Sequence, residues 1–102
     1  MKFTREQFDE IAPFHMDDLP FDTSDQNKMF EIFNLLPDEI KGQAVSWGLN
    51  DTVVRESIFE FVCENLGFSS VDQYYNSDVF LDYHEKGKTL SLDELINLLQ
   101  DQ

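Results

Sequence analysis

Basic residues are what this chain has least of. Seven lysines and arginines stand against 21 acids, for a net charge of −14 at pH 7. That exceeds the roughly 2–8 charges that suffice to keep a small domain in solution. Such a field repels nucleic acid and anionic membrane surfaces, so direct nucleic-acid or membrane binding is not expected. A charged partner should instead be a protein with a basic surface. Cysteine is nearly absent: Cys63 stands alone, which excludes an internal disulfide and fits a cytoplasmic, reducing setting. Long apolar runs are absent too, and the opening MKFTREQFDE carries no apolar core of signal-peptide type. There is no glycine-rich phosphate loop, no zinc-type cysteine spacing, no internal repeat and no low-complexity tract. Alternation of period two never runs far enough to propose a sheet.

Apolar content offsets the charge. Leu, Ile, Val and Phe supply 32 of the 102 residues, above the ~20% level below which disorder is expected. Ten are phenylalanines, each able to contribute about 1.5–3 kcal/mol when buried. A folded domain over residues 1–102 follows.

Helix punctuation sets the fold class. Thr4 with Gln7 reads as a capping box and Phe3 with Phe8 as its staple, with Pro13 ending or kinking that helix. The stretch 12–22, rich in proline and acid, reads as an irregular connection whose Phe14, Met16, Leu19 and Phe21 pack back onto the body. A second helix begins near Thr23 or Ser24, with Asp25 at its positive end and Met29, Phe30, Phe33 and Leu36 on its apolar face. Pro37 suits the first position of a third helix, which shows Ile40, Ala44 and Trp47 on one side and stops at Gly48. Gly42 within it implies a close neighbour or a weak helix.

Asn50 or Asp51 caps a fourth helix with Val54, Ile58, Phe61, Val62 and Leu66 inward and Gly67 closing it. If Asn50 is the cap, Leu49 and Val54 form a staple. Ser70 with Gln73 starts a short helix carrying Val71, Tyr74 and Tyr75. Residues 77–87 read either as a short helix ending at Gly87 or as a brief extended piece. Ser91 with Glu94, stapled by Leu90 and Leu95, starts a last helix with Leu92, Leu95, Ile96 and Leu99 inward. The expectation is an all-α, compact single-domain bundle of five to seven short helices.

Chemistry has few candidates. His15 and His84 are the only histidines to act as bases, and nothing around Cys63 resembles a cysteine-hydrolase signature, so a buried structural thiol is expected. Residues 82–94 echo a calcium loop but place His84, Lys86 and Asp93 where oxygen ligands and a glutamate are needed. HMDD at 15–18 offers a histidine and carboxylates, a pattern that reads as a solvated loop. No catalytic residue, metal or cofactor is expected.

The charge itself is the strongest feature. Glu56, Glu60 and Glu64 fall in one line at helical spacing, and from Glu56 to Glu85 there are seven acids and no lysine or arginine. Each like-charge pair costs about 0.2–0.5 kcal/mol, and Glu64 near the negative helix end about 0.3–1 kcal/mol. A plain solvated face can bear that cost. One stripe with a carboxylate every ~6 Å has only about half the linear charge density of a DNA strand. Mimicry of a nucleic acid would need Asp72, Asp78, Asp82 and Glu85 set beside it. Phe59 points away from the main apolar face and reads as core or as an exposed anchor, and Tyr75 as a second contact for a partner.

LPDEIKGQAVSWGLNDTVVRESIFEFV, residues 36–62, resembles a segment of small phage and prophage proteins through its Leu-Pro, Trp-Gly and Asp-Thr pattern. In type, the chain is similar to small acidic phage-borne inhibitors of host defence, such as anti-CRISPR and anti-restriction proteins. Those resemblances imply an inhibitor acting in the host cytoplasm. Trp47 and Gly48 within the segment are expected to serve packing and the helix stop. The expected function is thus a non-catalytic binding protein, monomer or dimer, that occupies a basic surface of a partner, such as a nucleic-acid-handling host defence complex. The alternatives are an adaptor or immunity-type domain with an apolar groove and, less favoured, a housekeeping domain with a solubilising coat or a small enzyme.

Overall fold

The first helix, α1 (Arg5–Ile11), begins where Thr4 and Gln7 exchange bonds. The Thr4 N–H donates to Gln7 Oε1 at 2.9 Å and the Gln7 N–H to Thr4 Oγ1 at 3.2 Å. Phe3 and Phe8 flank the cap, and both rings settle on Phe33, with centroids 5.3 and 5.7 Å away. The computed structural model describes residues 2–11, 14–16, 18–87 and 90–101. Pro13 therefore lies outside the described residues, as do Asp17, Lys88 and Thr89.

The second helix, α2 (Gln26–Leu35), starts two residues or so later than the sequence pattern implied. Asp25 is its cap, accepting from the N–H groups of Asn27 and Lys28. Ser24 instead donates to the Asp22 carboxylate at 3.0 Å, a local turn that holds it out of the helix. In α3 (Asp38–Trp47) Pro37 occupies the cap position, and Gly48 ends the helix at φ +90°.

Trp47 corrects an expectation: it is 56% exposed. The buried stripe of α3 is centred between Lys41 and Ala44, which puts Trp47 roughly a quarter turn away. Lys41, not Trp47, fills the inner position, its stem buried and its amine 3.2 Å from the Asn34 carbonyl and 3.5 Å from Asp38. Gly42 meets no close neighbour, since a Cβ there would touch nothing within 4 Å.

Helix α4 (Thr52–Asn65) is capped by Asp51, whose carboxylate accepts from Val53 and Val54 at 2.9 and 3.3 Å. With Asp51 rather than Asn50 as the cap, Leu49 and Val54 leave staple register, yet both are buried. Gly67, at φ +98°, ends the helix in a Schellman turn, with Phe68 N–H on the Cys63 carbonyl and Gly67 N–H on that of Glu64. Val54, Ile58 and Val62 are buried, whereas Phe61 and Leu66 are only partly so. Helices α5 (Val71–Tyr75), α6 (Asp78–Lys86) and α7 (Leu92–Gln100) start at Ser70, Ser77 and Ser91. The stretch left open between helix and strand is thus helical, and the Ser91–Glu94 capping box is complete.

These seven helices make an all-α bundle, in which α2 packs on α7, α3 on α4, α4 on α5 and α5 on α6. Its radius of gyration, 13.2 Å, is that of a compact domain of about 100 residues. Extended pairing among the described residues is confined to one bridge, Phe21 with Leu90, where Leu90 N–H donates to the Pro20 carbonyl at 2.9 Å. None of the described helices is long and apolar enough to cross a membrane.

Two side-chain amides take the place of missing backbone pairing. Asn34 accepts from the Phe3 N–H at 2.8 Å and donates to the Phe3 carbonyl at 3.2 Å, fastening the N-terminal segment to α2. Gln26 does the same for Phe14, at 3.1 Å in each direction. Asn34→Ala removes both bonds to Phe3 and is expected to lower stability by about 1–3 kcal/mol. Urea unfolding would show this as a lower midpoint with an unchanged slope, and Asn34→Asp, which keeps an acceptor, should fall in between.

Candidate binding cleft

The cleft forms because an irregular segment is held against a helix. Phe14, Met16 and Leu19 are buried on the body, as their apolar character requires. Asp18 sits among them at φ +62°, in the left-handed region that aspartate tolerates better than most residues. Two tyrosines of α5 fix it there. Tyr74 is fully buried and its hydroxyl donates to the Asp18 carbonyl at 2.7 Å. Tyr75 reaches the Asp18 carboxylate at 3.4 Å. Burial, above all, pushes the Tyr74 hydroxyl far above the ordinary tyrosine range, so it remains a donor throughout the physiological pH range. Tyr75 is raised as well, first by desolvation and then by the Asp18 charge.

Between this segment and α4 lies an open cleft of about 390 Å³. Met16, Leu19, Leu49 and Ile58 give it an apolar interior, and Phe59 and Tyr75 add two aromatic rings. Those rings are stacked, with centroids 5.7 Å apart and planes at 26°. Asp18, Glu56 and Glu60 bring three carboxylates to the lining, with Arg55 and His15 beside them. The His15 ring shares a hydrogen bond with the Thr23 hydroxyl at 3.1 Å.

Four residues read from the sequence as partner contacts therefore meet here: Glu56, Glu60, Phe59 and Tyr75. Phe59, expected as core or as an exposed anchor, is partly buried: it packs on the core, meets Tyr74 edge-on at 5.8 Å and also lines the cleft. Glu64 is exposed one turn further along α4 and is not part of the lining. Asp72 is exposed in the first turn of α5. Asp78, Asp82 and Glu85 are exposed on α6, which packs on α5, and Asp82 lies 3.8 Å from Lys86. The acids are thus distributed over the cleft, the last turn of α4, and α5 and α6, rather than continuing a single line. Asp18, Met16, Leu19 and Leu49 were missed as site residues. Their signal was weak: Met16 and Leu19 are apolar residues flanking an acid in a proline-rich connection, and Leu49 is an apolar residue between α3 and α4, a pattern that indicates packing but no concavity.

The candidate bases and metal ligands are dispersed. His84 stands edge-on to Phe80, centroids 4.4 Å apart, on α6, and no group of three or more metal-binding side chains gathers among the described residues. Residues 82–86 of the calcium-loop echo are helical. Cys63 is buried, and desolvation, followed by Glu60 and Glu64, pushes its thiol up to about 11. Against ~8.5 for a free cysteine, that lowers the thiolate fraction at neutral pH by roughly two orders of magnitude. Native protein is accordingly expected to resist a disulfide reagent at pH 7 over hours, and urea-unfolded protein to release one thiol equivalent within minutes. Rapid reaction of the native form would place the thiol at the surface.

No family model, curated protein or solved structure matches this chain, so a functional reading rests on the cleft alone.

Proposed function

We propose that this protein is a non-catalytic binding protein whose cleft engages a basic surface of a partner protein. One observation carries the reading: acids and aromatic anchors converge on the same concavity. Apolar side chains inside, aromatic rings beside them and carboxylates around form the arrangement of a binding hot spot with a polar rim. Among the described residues no cation lies within ion-pair distance of Glu56 or Glu60. Their charge is therefore available to a partner. The chain's net charge of −14 adds long-range attraction to a basic target.

The partner class this fits best is a protein that handles nucleic acid, because such proteins present the largest basic surfaces and this chain would compete with the polyanion. The role is then inhibition, in keeping with the resemblance of residues 36–62 to segments of phage and prophage proteins. A second reading, an adaptor that binds by its apolar groove with the acids only rimming it, is favoured by the apolar interior of the cleft. Salt separates the two, because rim charges set salt dependence and on-rate whereas a buried apolar centre sets affinity.

Immobilised protein is expected to retain a partner from a bacterial lysate and to release it as salt rises. Glu56→Gln/Glu60→Gln should lower the eluting salt and weaken the purified interaction by about tenfold or more, as for paired interfacial charges. Asp78→Asn/Asp82→Asn, on α6, should change it little. Equal loss from both variants would indicate a diffuse field, and insensitivity to salt with loss on Phe59→Ala would favour the apolar groove.

A further inference from the structure

We propose that the cleft receives an arginine side chain presented by the partner, its stem on the apolar interior and its guanidinium against the Phe59 and Tyr75 rings and the carboxylates. This rests on the binding function proposed above and names the chemistry of the occupant. An arginine has an apolar stem of three methylenes and a planar cationic head. The cleft has the matching order of surfaces: Leu49 and Ile58 within, Phe59 and Tyr75 beside them, and Asp18, Glu56 and Glu60 as acceptors. A guanidinium can lie against aromatic faces and give paired hydrogen bonds to carboxylates. An ammonium meets the charge but not the planar fork, and a neutral side chain leaves the acids uncompensated.

The carboxylates favour a cation specifically. Three of them line the cleft against one guanidinium, Arg55. Tyr75 engages Oδ2 of Asp18 at 3.4 Å, which leaves Oδ1 as a further acceptor. Glu56 and Glu60 stand one turn apart on α4 and bracket the Phe59 position. The chain already uses the same chemistry internally, for Arg5 stands 5.8 and 5.9 Å from the ring centres of Phe8 and Phe30 while binding Asp9 at 2.9 Å. A metal ion suits the site less well, because no cluster of three ligating side chains is found among the described residues. A second copy of this chain is a poor occupant as well, since it would bring the same net charge of −14 into contact.

The test uses the full chain, labelled with ¹⁵N, at about 0.15 M salt, where long-range attraction is screened. Three probes are titrated: Nα-acetyl-arginine amide, its neutral isostere Nα-acetyl-citrulline amide, and Nα-acetyl-norleucine amide. Arginine is expected to shift the amides of Ile58 to Glu60 and Tyr75, with affinity about fivefold or more above citrulline. Glu56→Gln/Glu60→Gln should abolish that preference. Tyr75→Leu should reduce it, with native shifts kept outside α5 and the Asp18 segment that the Tyr75 hydroxyl engages.

Equal binding of citrulline, stronger binding of norleucine, or arginine shifts spread over α6 would each overturn the proposal. The broader reading fails separately. If the arginine preference is absent but salt-graded capture still depends on Glu56 and Glu60, the acidic binding function stands and only the anchor is wrong. If capture is independent of those two residues, the binding function itself falls.

Discussion

The hydrogen bond from Tyr74 to the carbonyl of Asp18 is the joint on which the cleft depends. It links residues 56 apart in the chain, and its donor, Tyr74, lies in the core, where an unpartnered hydroxyl costs about 1–3 kcal/mol. Around it the remaining geometry follows. Asp18 can hold its left-handed backbone because Tyr74 and Tyr75 both engage it, and Leu19 can then remain buried beside it. Tyr74 is also the ring that Phe59, Phe68 and Phe80 meet edge-on. One side chain thus sets the distance between the irregular segment and α4, and that distance is the width of the cleft.

The scarcity of basic residues has a structural outcome as well as an electrostatic one. Arg5, Lys28, Lys41 and Lys86 each lie within 4 Å of a carboxylate, those of Asp9, Asp93, Asp38 and Asp82. Lys28 joins α2 to α7 and is raised above the usual lysine range, chiefly by its hydrogen bond to Asp93. Most of these pairs are exposed, and exposed pairs contribute only about 0–1 kcal/mol. Their effect on the surface pattern is larger than their effect on stability. They neutralise one acid each on α1, α3, α6 and α7, whereas Glu56, Glu60 and Glu64 of α4 have no such ion pair among the described residues.

What could be read from the sequence was what is local. Thr4 with Gln7, Ser70 with Gln73 and Ser91 with Glu94 act over three residues, so their caps are visible in the string and occur in the structure. Trp47 could not be placed, because its exposure is decided by Lys41, whose stem has enough apolar length to take the inner position and whose amine finds the Asn34 carbonyl. Helical spacing ranks residues by polarity and so ranks those two in the wrong order. Of the site, Glu56, Glu60, Phe59 and Tyr75 were legible as an acidic stripe and two aromatic contacts. Their convergence was not, because it needs Asp18, which is brought in by a tyrosine more than fifty positions away.

The two walls of the cleft differ in the kind of order they have. Helix α4 is a cooperative unit, with a carboxylate cap at one end and a Schellman turn at the other. The facing segment is held by side-chain bonds, two from Gln26 and one each from Tyr74 and Tyr75, and by the bridge to Leu90. Segments tethered in this way open at lower free energy than helices in a core. Glu56 and Glu60 are therefore carried one helical turn apart on the more cooperative of the two walls. On the proposed binding function, that pairing of walls is strict about the charge of a partner and lenient about its contour.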